Sequence, residues 1–347
     1  MKAALFQKFE EAIEVTTVPD PTPSPNGVVI RVEATGICRS DWHGWKGHDS
    51  DVTLPHVPGH EFAGVVEETG KNVLKWSRGD RVTAPFICAC GSCEFCENGN
   101  QQVCPNQQQP GFTHWGSFAS LVSIPHAEEN LVRLPDELDF ISSASLGCRL
   151  ATSYRAVVHQ ARARPGHWLA IHGCGGVGLS ALMVANALGV QTIAIDVDPE
   201  ILRLATKLGA TNTINANATS EIVGTVVDIT SGGAHYSIDS LGSTETATNS
   251  IRCLRPRGRH IQVGLMVEQD ATSPVPFDQI LAHELEIIGS HGMQSHCYPE
   301  LFNLITSKGI DPGLLISGTC DLSEGAALLT SGQAFGKPGI TVITGLA

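Results

Sequence analysis

Cys90, Cys93, Cys96 and Cys104 follow one another as C-x2-C-x2-C-x7-C. Thiolates at this spacing in a small polar loop converge on one tetrahedral ion, for which zinc is the default. Four protein sulfurs leave no position for a substrate, so the site they imply is structural. Cys88 offers a second register, C-x-C with Cys90, but Cys90 completes the two even spacings and is preferred. Upstream lie Cys38 and the triplet Gly59-His60-Glu61, and downstream Cys148 sits in Gly147-Cys148-Arg149. Cys38, His60 and Cys148 are candidates for a second centre. Three protein ligands with an open fourth position make a catalytic zinc.

A different chemistry is written at Gly173-Cys174-Gly175-Gly176-Val177-Gly178. This G-x-G-x-x-G follows an expected strand and opens an expected helix, and Asp196 ends the next strand, which is the context the motif requires. Gly173 allows the tight turn, Gly175 lets the backbone approach a pyrophosphate, and Gly178 lets helix and strand pack closely. The helix N-terminus that begins at Gly176 and Val177 favours the negative phosphates. Asp196 would accept hydrogen bonds from the adenosine ribose hydroxyls, and its charge repels a 2′-phosphate. Val197 and Asp198 follow it, with no arginine. The expected cofactor is NAD rather than NADP. A nicotinamide site beside a zinc centre implies metal-assisted hydride transfer.

Those residues need elements to hold them. The first third of the chain is rich in Pro, Gly and short alternating segments. Residues 27–34 and 62–67 read as strands, and 79–82 as a turn entering another, giving antiparallel β with irregular loops where metal ligands commonly sit. From about residue 150 strands and helices alternate. Strands are expected at 167–171, Gln191–Asp196, 236–240, 260–264 and Glu286–Gly289, with helices at 176–188 and 199–208, each stopped by a glycine. The fold class is α/β: a mainly-β N-terminal domain, and a doubly wound parallel sheet of the Rossmann type. The expected division is 1–149 with 290–347 for the first domain and 150–289 for the second.

Composition bounds the rest. A chain of 347 residues is long enough for two domains, and 42% hydrophobic with 16% charged residues is ordinary for a folded protein. A net charge of −13 argues against nucleic acid or an anionic membrane surface as partner. Eleven cysteines suggest a disulfide framework until six fall into ligand positions; Cys88, Cys174, Cys253, Cys297 and Cys320 remain scattered, which fits a reducing compartment. The first residues carry no apolar run of signal-peptide length, and no stretch of about 18 apolar residues exists to span a membrane. The expected location is cytoplasmic.

Taken together, these residues resemble a zinc-containing alcohol dehydrogenase of the medium-chain dehydrogenase/reductase superfamily. The carrying segments are Gly36-Ile37-Cys38-Arg39-Ser40-Asp41-Trp42-His43, Gly59-His60-Glu61, the four-cysteine loop, Gly147-Cys148, Thr152 and the glycine fingerprint. The match runs end to end in order and spacing. It implies a GroES-like first domain and reversible oxidation of an alcohol to an aldehyde or ketone by zinc-alkoxide hydride transfer. It also implies two zinc ions per chain, one catalytic and one structural, and a homotetramer or homodimer.

The resemblance assigns roles by position. Cys38, His60 and Cys148 would bind the catalytic zinc. Asp41 would hydrogen-bond His60, and Glu61 would sit behind the metal as a transient ligand. Ser40 would accept the substrate proton and relay it toward His43. Arg39 would contact the pyrophosphate, and Thr152 and Val177 would press on the nicotinamide. Trp45 and Phe86 match positions that line the substrate pocket, and the loop carrying His114 and Trp115 would reach it. Phe86, smaller than a tryptophan, permits substrates larger than ethanol. A polyol dehydrogenase is the nearest rival, but that branch replaces Cys148 by a glutamate. A non-catalytic NAD-binding relative would tend to lose the zinc ligands present here.

Overall fold

The structure is a computed structural model that describes residues 1–335 and 338–346. These divide into two compact units. Met1–Ala151 forms the first with Gly292–Asn303 and the described residues from Asp311 on; Thr152–His291 and Leu304–Ile310 form the second.

The first unit is built on a seven-stranded sheet around Val28–Gly36. That strand pairs antiparallel with Glu61–Thr69, Leu121–Ile124 and Ile340–Thr344. Its inward β-branched residues explain the strand. Val28, Ile30 and Val32 join Phe62, Val66, Val82 and Phe118 in one buried cluster. Each such side chain contributes on the order of 1.5–3 kcal/mol when fully buried. Both central strands run past the expected 27–34 and 62–67, and the register pairs Gly36 with Glu61. This pairing brings two chain segments to the same sheet end: Ile37-Cys38 leaves one strand there, and His60 enters the other.

The second unit is a six-stranded parallel sheet. Its order is Asn212–Asn215, Gln191–Asp196, Trp168–His172, Ala234–Asp239, Leu254–Gln262, Glu286–Gly289. The reversal of order beside Trp168–His172 marks the doubly wound topology, at whose switch point dinucleotides bind. The two expected helices are Gly176–Ala187 and Pro199–Lys207, and Ile222–Thr230, Thr244–Arg252 and Phe277–His283 follow them. Pro199 occupies the first helical turn, where its missing N–H is no loss, and Asp198 caps it by accepting from Glu200 N at 2.7 Å. Strand Asn212–Asn215 escapes the sequence pattern, because only Ile214 of its four residues is buried. No helix among the described residues is long and apolar enough to cross a membrane.

Candidate metal centres and dinucleotide site

Cys38, His60, Glu61 and Cys148 are all buried, and one ligand atom from each lies within 4.8 Å of the others. Cys38 opens the short helix Arg39–Trp45, and its amide donates to Asp41 Oδ2 at 2.9 Å. Asp41 Oδ1 accepts from Gly59 N at 3.1 Å and lies 2.8 Å from His60 Nδ1. With Nδ1 turned to the carboxylate, Nε2 is the nitrogen left for a metal. Cys148 stands in a π-helical stretch, Leu146–Leu150. Such widened turns loosen the helical ladder and recur at functional sites. Here the carbonyls are taken by other groups: the Tyr298 hydroxyl donates to Leu146 and Gly147 at 3.3 and 3.4 Å, and Phe86 N donates to Gly147 at 3.0 Å.

The electrostatics of this cluster suit a cation. The hydrogen bond from Cys148 holds the Cys38 thiol well below its ordinary value, against the effect of burial and with help from Arg149. The same bond, together with burial, pushes Cys148 well up, so the two sulfurs share one proton. Burial works against a charged His60, but the Asp41 carboxylate and Cys38 hold it well above its usual range. Burial pushes Glu61 up to about 8, with Arg149 opposing. A divalent ion bound here would take the place of these protons, since thiol and imidazole ligands bind metal deprotonated. Two sulfurs, one oriented imidazole and a buried carboxylate therefore fit zinc by donor chemistry.

The four-cysteine loop fits zinc by geometry. Sulfur separations are 3.4 Å for Cys93–Cys96, 3.5 Å for Cys90–Cys104, 3.7 Å for Cys93–Cys104 and 4.0 Å for Cys90–Cys96. A tetrahedron with metal–sulfur bonds of about 2.3 Å has edges of about 3.8 Å. Cys88 is not part of it. Its side chain lies in the first unit's core, where burial pushes the thiol up to about 12.

The remaining expected residues spread out. Ser40 Oγ lies 3.8 Å from Cys38 Sγ, at the edge of the cluster. His43 Nδ1 is 2.9 Å from His48 Nδ1. Exposed Arg39 packs over the Phe335 ring at 5.5 Å. Phe86 meets the His60 ring edge-on with centroids 6.1 Å apart, and Phe112 lies closer, at 5.3 Å. Trp45 is a core residue packed with Phe6, Val52 and Phe112, its indole donating to Glu11 O at 2.7 Å. His114 and Trp115 are tied to the carbonyls of Ser123 and Pro55 at 3.1 and 2.9 Å. Phe112, Tyr298 and Arg149 carry no motif, and only their packing against the ligands reveals them.

In the second unit the glycine turn has the shape a pyrophosphate needs. Gly173 takes φ +83°, and a Cβ on Gly178 would stand 2.1 Å from Gly173 O. Nothing lies within 4 Å of a Cβ placed on Gly175, so that backbone is open to a ligand. Helix Gly176–Ala187 has no side-chain cap, leaving its first amides for an anion. Asp196 stands at the end of the neighbouring strand and accepts from Cys174 N at 2.7 Å and Asp198 N at 3.0 Å. Thr152 is buried, and its hydroxyl has no hydrogen-bond partner among the described residues. Val177, in the glycine turn, is partly exposed, and its carbonyl accepts from Ser153 Oγ at 2.7 Å.

Comparison with known proteins agrees with both units. Residues 24–136 match the family described as alcohol dehydrogenase GroES-like domain, and residues 176–307 match zinc-binding dehydrogenase. The chain belongs to the zinc-containing alcohol dehydrogenases of the medium-chain dehydrogenase/reductase superfamily. It is 34% identical over 293 residues to an alcohol dehydrogenase of Geobacillus stearothermophilus, covering 84% of each chain. It is similar in structure to alcohol dehydrogenase TADH from Thermus sp. ATN1, with TM-score 0.87, 30% identity and 99% of both chains covered. Benzyl alcohol dehydrogenase from Acinetobacter calcoaceticus superposes with TM-score 0.90 at 26% identity, over 99% of this chain and 98% of that one.

Proposed function

We propose that this chain is an NAD-dependent alcohol dehydrogenase that interconverts an alcohol and its aldehyde or ketone. The observation that carries the reading is the buried convergence of Cys38, His60, Glu61 and Cys148, with Asp41 fixing the imidazole. Cys38, His60 and Cys148 would hold a zinc ion there, and Cys90, Cys93, Cys96 and Cys104 a second. When bound, the first ion supplies the Lewis acidity that makes an alcohol hydroxyl a stronger acid and polarises a carbonyl in the reverse direction. Ser40, beside Cys38, accepts the hydroxyl proton and passes it toward His43. Phe86 and Phe112, packed on the His60 ring, exclude water, and Trp45 supports Phe112 from behind.

The dinucleotide is held by the other unit. Amides at Gly175, Gly176 and Val177 would receive the pyrophosphate, and Arg39 is the proposed cation for it. Gly173 and Gly178 shape that turn. Asp196 takes the ribose hydroxyls and disfavours a 2′-phosphate, so NAD is preferred over NADP. Thr152 and Val177 position the nicotinamide, which carries the hydride. With NAD bound, the nicotinamide would supply the hydride acceptor, and Ser40 would take the hydroxyl proton as the alcohol carbon becomes a carbonyl carbon. A homodimer or homotetramer is the proposed assembly.

The test is NAD-linked turnover of the purified protein on primary, secondary, aromatic and polyol substrates, with and without zinc chelation. Chelator-sensitive alcohol oxidation, faster with NAD than NADP, is expected. Zinc-loaded protein that binds NAD yet oxidises no member of the panel overturns the proposal.

A further inference from the structure

Arg149 follows Cys148 directly and is only 5% exposed. A guanidinium this deep needs partners to offset its lost hydration. Beside the Cys38 sulfur it has two oxygen partners, from different segments. Its Nη2 donates to the carbonyl of Ile37, the residue before Cys38, and its Nε lies 3.0 Å from Glu61 Oε1, the residue after His60. One side chain beside the third ligand therefore ties down the neighbours of the other two.

Glu61 is the odd partner in this arrangement. It is fully buried, yet neither carboxylate oxygen accepts a hydrogen bond of normal geometry among the described residues. The 3.0 Å approach to Arg149 is an ion-pair contact without hydrogen-bond alignment. A carboxylate oxygen lies within 4.8 Å of the Cys38, His60 and Cys148 donors. On another side stands Gly36, where an added Cβ would come 2.7 Å from Glu61 Oε2. The carboxylate thus occupies a slot bounded by Gly36 and Arg149, beside the three other donors.

We propose that Arg149 is a positioning residue that, with Gly36, holds Glu61 beside the metal and out of its ligand set. The inference rests on the zinc reading of this cluster. A carboxylate is a good zinc ligand, and an ion with three protein donors has a position to fill. Held at Arg149, Glu61 leaves that position to the substrate oxygen. Released, it competes for it. Lysine cannot take over fully, because a single ammonium lacks the fork that reaches both Glu61 and the Ile37 carbonyl.

Cobalt(II) in place of zinc gives a visible spectrum that reports the ligand set independently of turnover. The difference between wild type and Cys38→Ser isolates this centre from the four-cysteine site. Arg149→Lys and Gly36→Ala, two independent ways of displacing the carboxylate, are each expected to shift the cobalt bands with metal retained. KM for alcohol should rise about 10–100-fold, the usual scale for residues that orient a metal site. Adding Glu61→Gln to either variant should restore the wild-type bands and most of KM, which a general packing defect would not allow. Unchanged bands in both variants, or a shift that Glu61→Gln does not reverse, overturn the proposal. Wild type that takes up no cobalt beyond the four-cysteine site overturns the zinc reading and this proposal with it. Wild type that loads and turns over, with variants indistinguishable from it, overturns this proposal alone.

Discussion

Asp41 Oδ1 lies 2.8 Å from His60 Nδ1 across a sequence separation of 19, and neither side chain has appreciable solvent exposure. The same carboxylate accepts the amides of Cys38 and Gly59. One acidic residue thus sets the ring orientation of one candidate ligand and the backbone of both ligand segments. Asp41→Asn keeps the shape but presents an amide with half the acceptor capacity. Zinc affinity, measured by competition with a chromogenic chelator, should fall about 10–100-fold. An unchanged affinity would show that Asp41 is only a packing residue.

Cys38→Ser and His60→Ala each remove one candidate ligand. Turnover should be lost and the metal content should drop by one ion per chain. NAD binding, measured by calorimetry, should persist, because the glycine turn and Asp196 belong to the other unit. Normal turnover in either variant refutes the ligand assignment.

Cys104 is fully buried in the four-sulfur cluster. Its loop also anchors chain from far away, with Gln294 Nε2 donating to Gly99 O at 3.0 Å. Cys104→Ser should release the second ion and destabilise the fold. Each kcal/mol lost lowers Tm by roughly 2–4 °C in a domain of this size, so a fall of about 5 °C or more is expected. Calorimetry with metal analysis checks both parts, and a variant with unaltered Tm and metal content would deny the site a structural role.

Asp196→Ala should narrow or invert the preference for NAD over NADP, read as the ratio of kcat/KM for the two cofactors. The change also strips the acceptor from Cys174 N and Asp198 N, with a stability loss of about 1–3 kcal/mol. Asp196→Asn retains an acceptor and separates the two effects. Selectivity unmoved in both variants argues against a ribose contact.

Acid should weaken the second unit through His172. Burial, with His260 nearby, lowers its pKa from 6.5 to about 3, and its Nε2 faces Cys253 Sγ at 3.6 Å. The folded value is the depressed one, so the unfolded chain binds the extra proton. The neutral ring's contribution is complete above pH 6.5 and is lost as pH falls from there toward 3, at up to about 1.4 kcal/mol per pH unit. His260 and His235 are also depressed by burial and add to the slope. Urea midpoints for wild type and His172→Gln from pH 7.5 to about 5 give the check. Equal pH slopes in the two would remove His172 from this account.

Most of the site was legible in the sequence because its signals are local. The four-cysteine spacing and the glycine fingerprint describe geometry that a few consecutive residues fix. Strand Asn212–Asn215 was not legible, since Asn, Thr and Asn carry no apolar alternation and pairing with Gln191–Asp196 decides it. Trp45 reads as a pocket residue by position; it packs in a buried cluster with Phe112, whose ring centroid lies 5.3 Å from that of His60, a neighbourhood that spacing does not encode.

The sequence by itself determined the ligand types, the closed four-sulfur loop, the α/β alternation and the acidic end of the second parallel strand. Each of these rests on residue chemistry or on spacing within one element. The tertiary structure decided which distant residues share a site. The Gly36–Glu61 register sets Cys38 beside His60, and the π-helical turn capped by Tyr298 carries Cys148 to them. It also decided that Arg149 reaches Ile37 across a separation of 112 and meets Glu61 on the way. Contacts of that range are fixed by packing and sheet register, and no spacing rule along the chain encodes them.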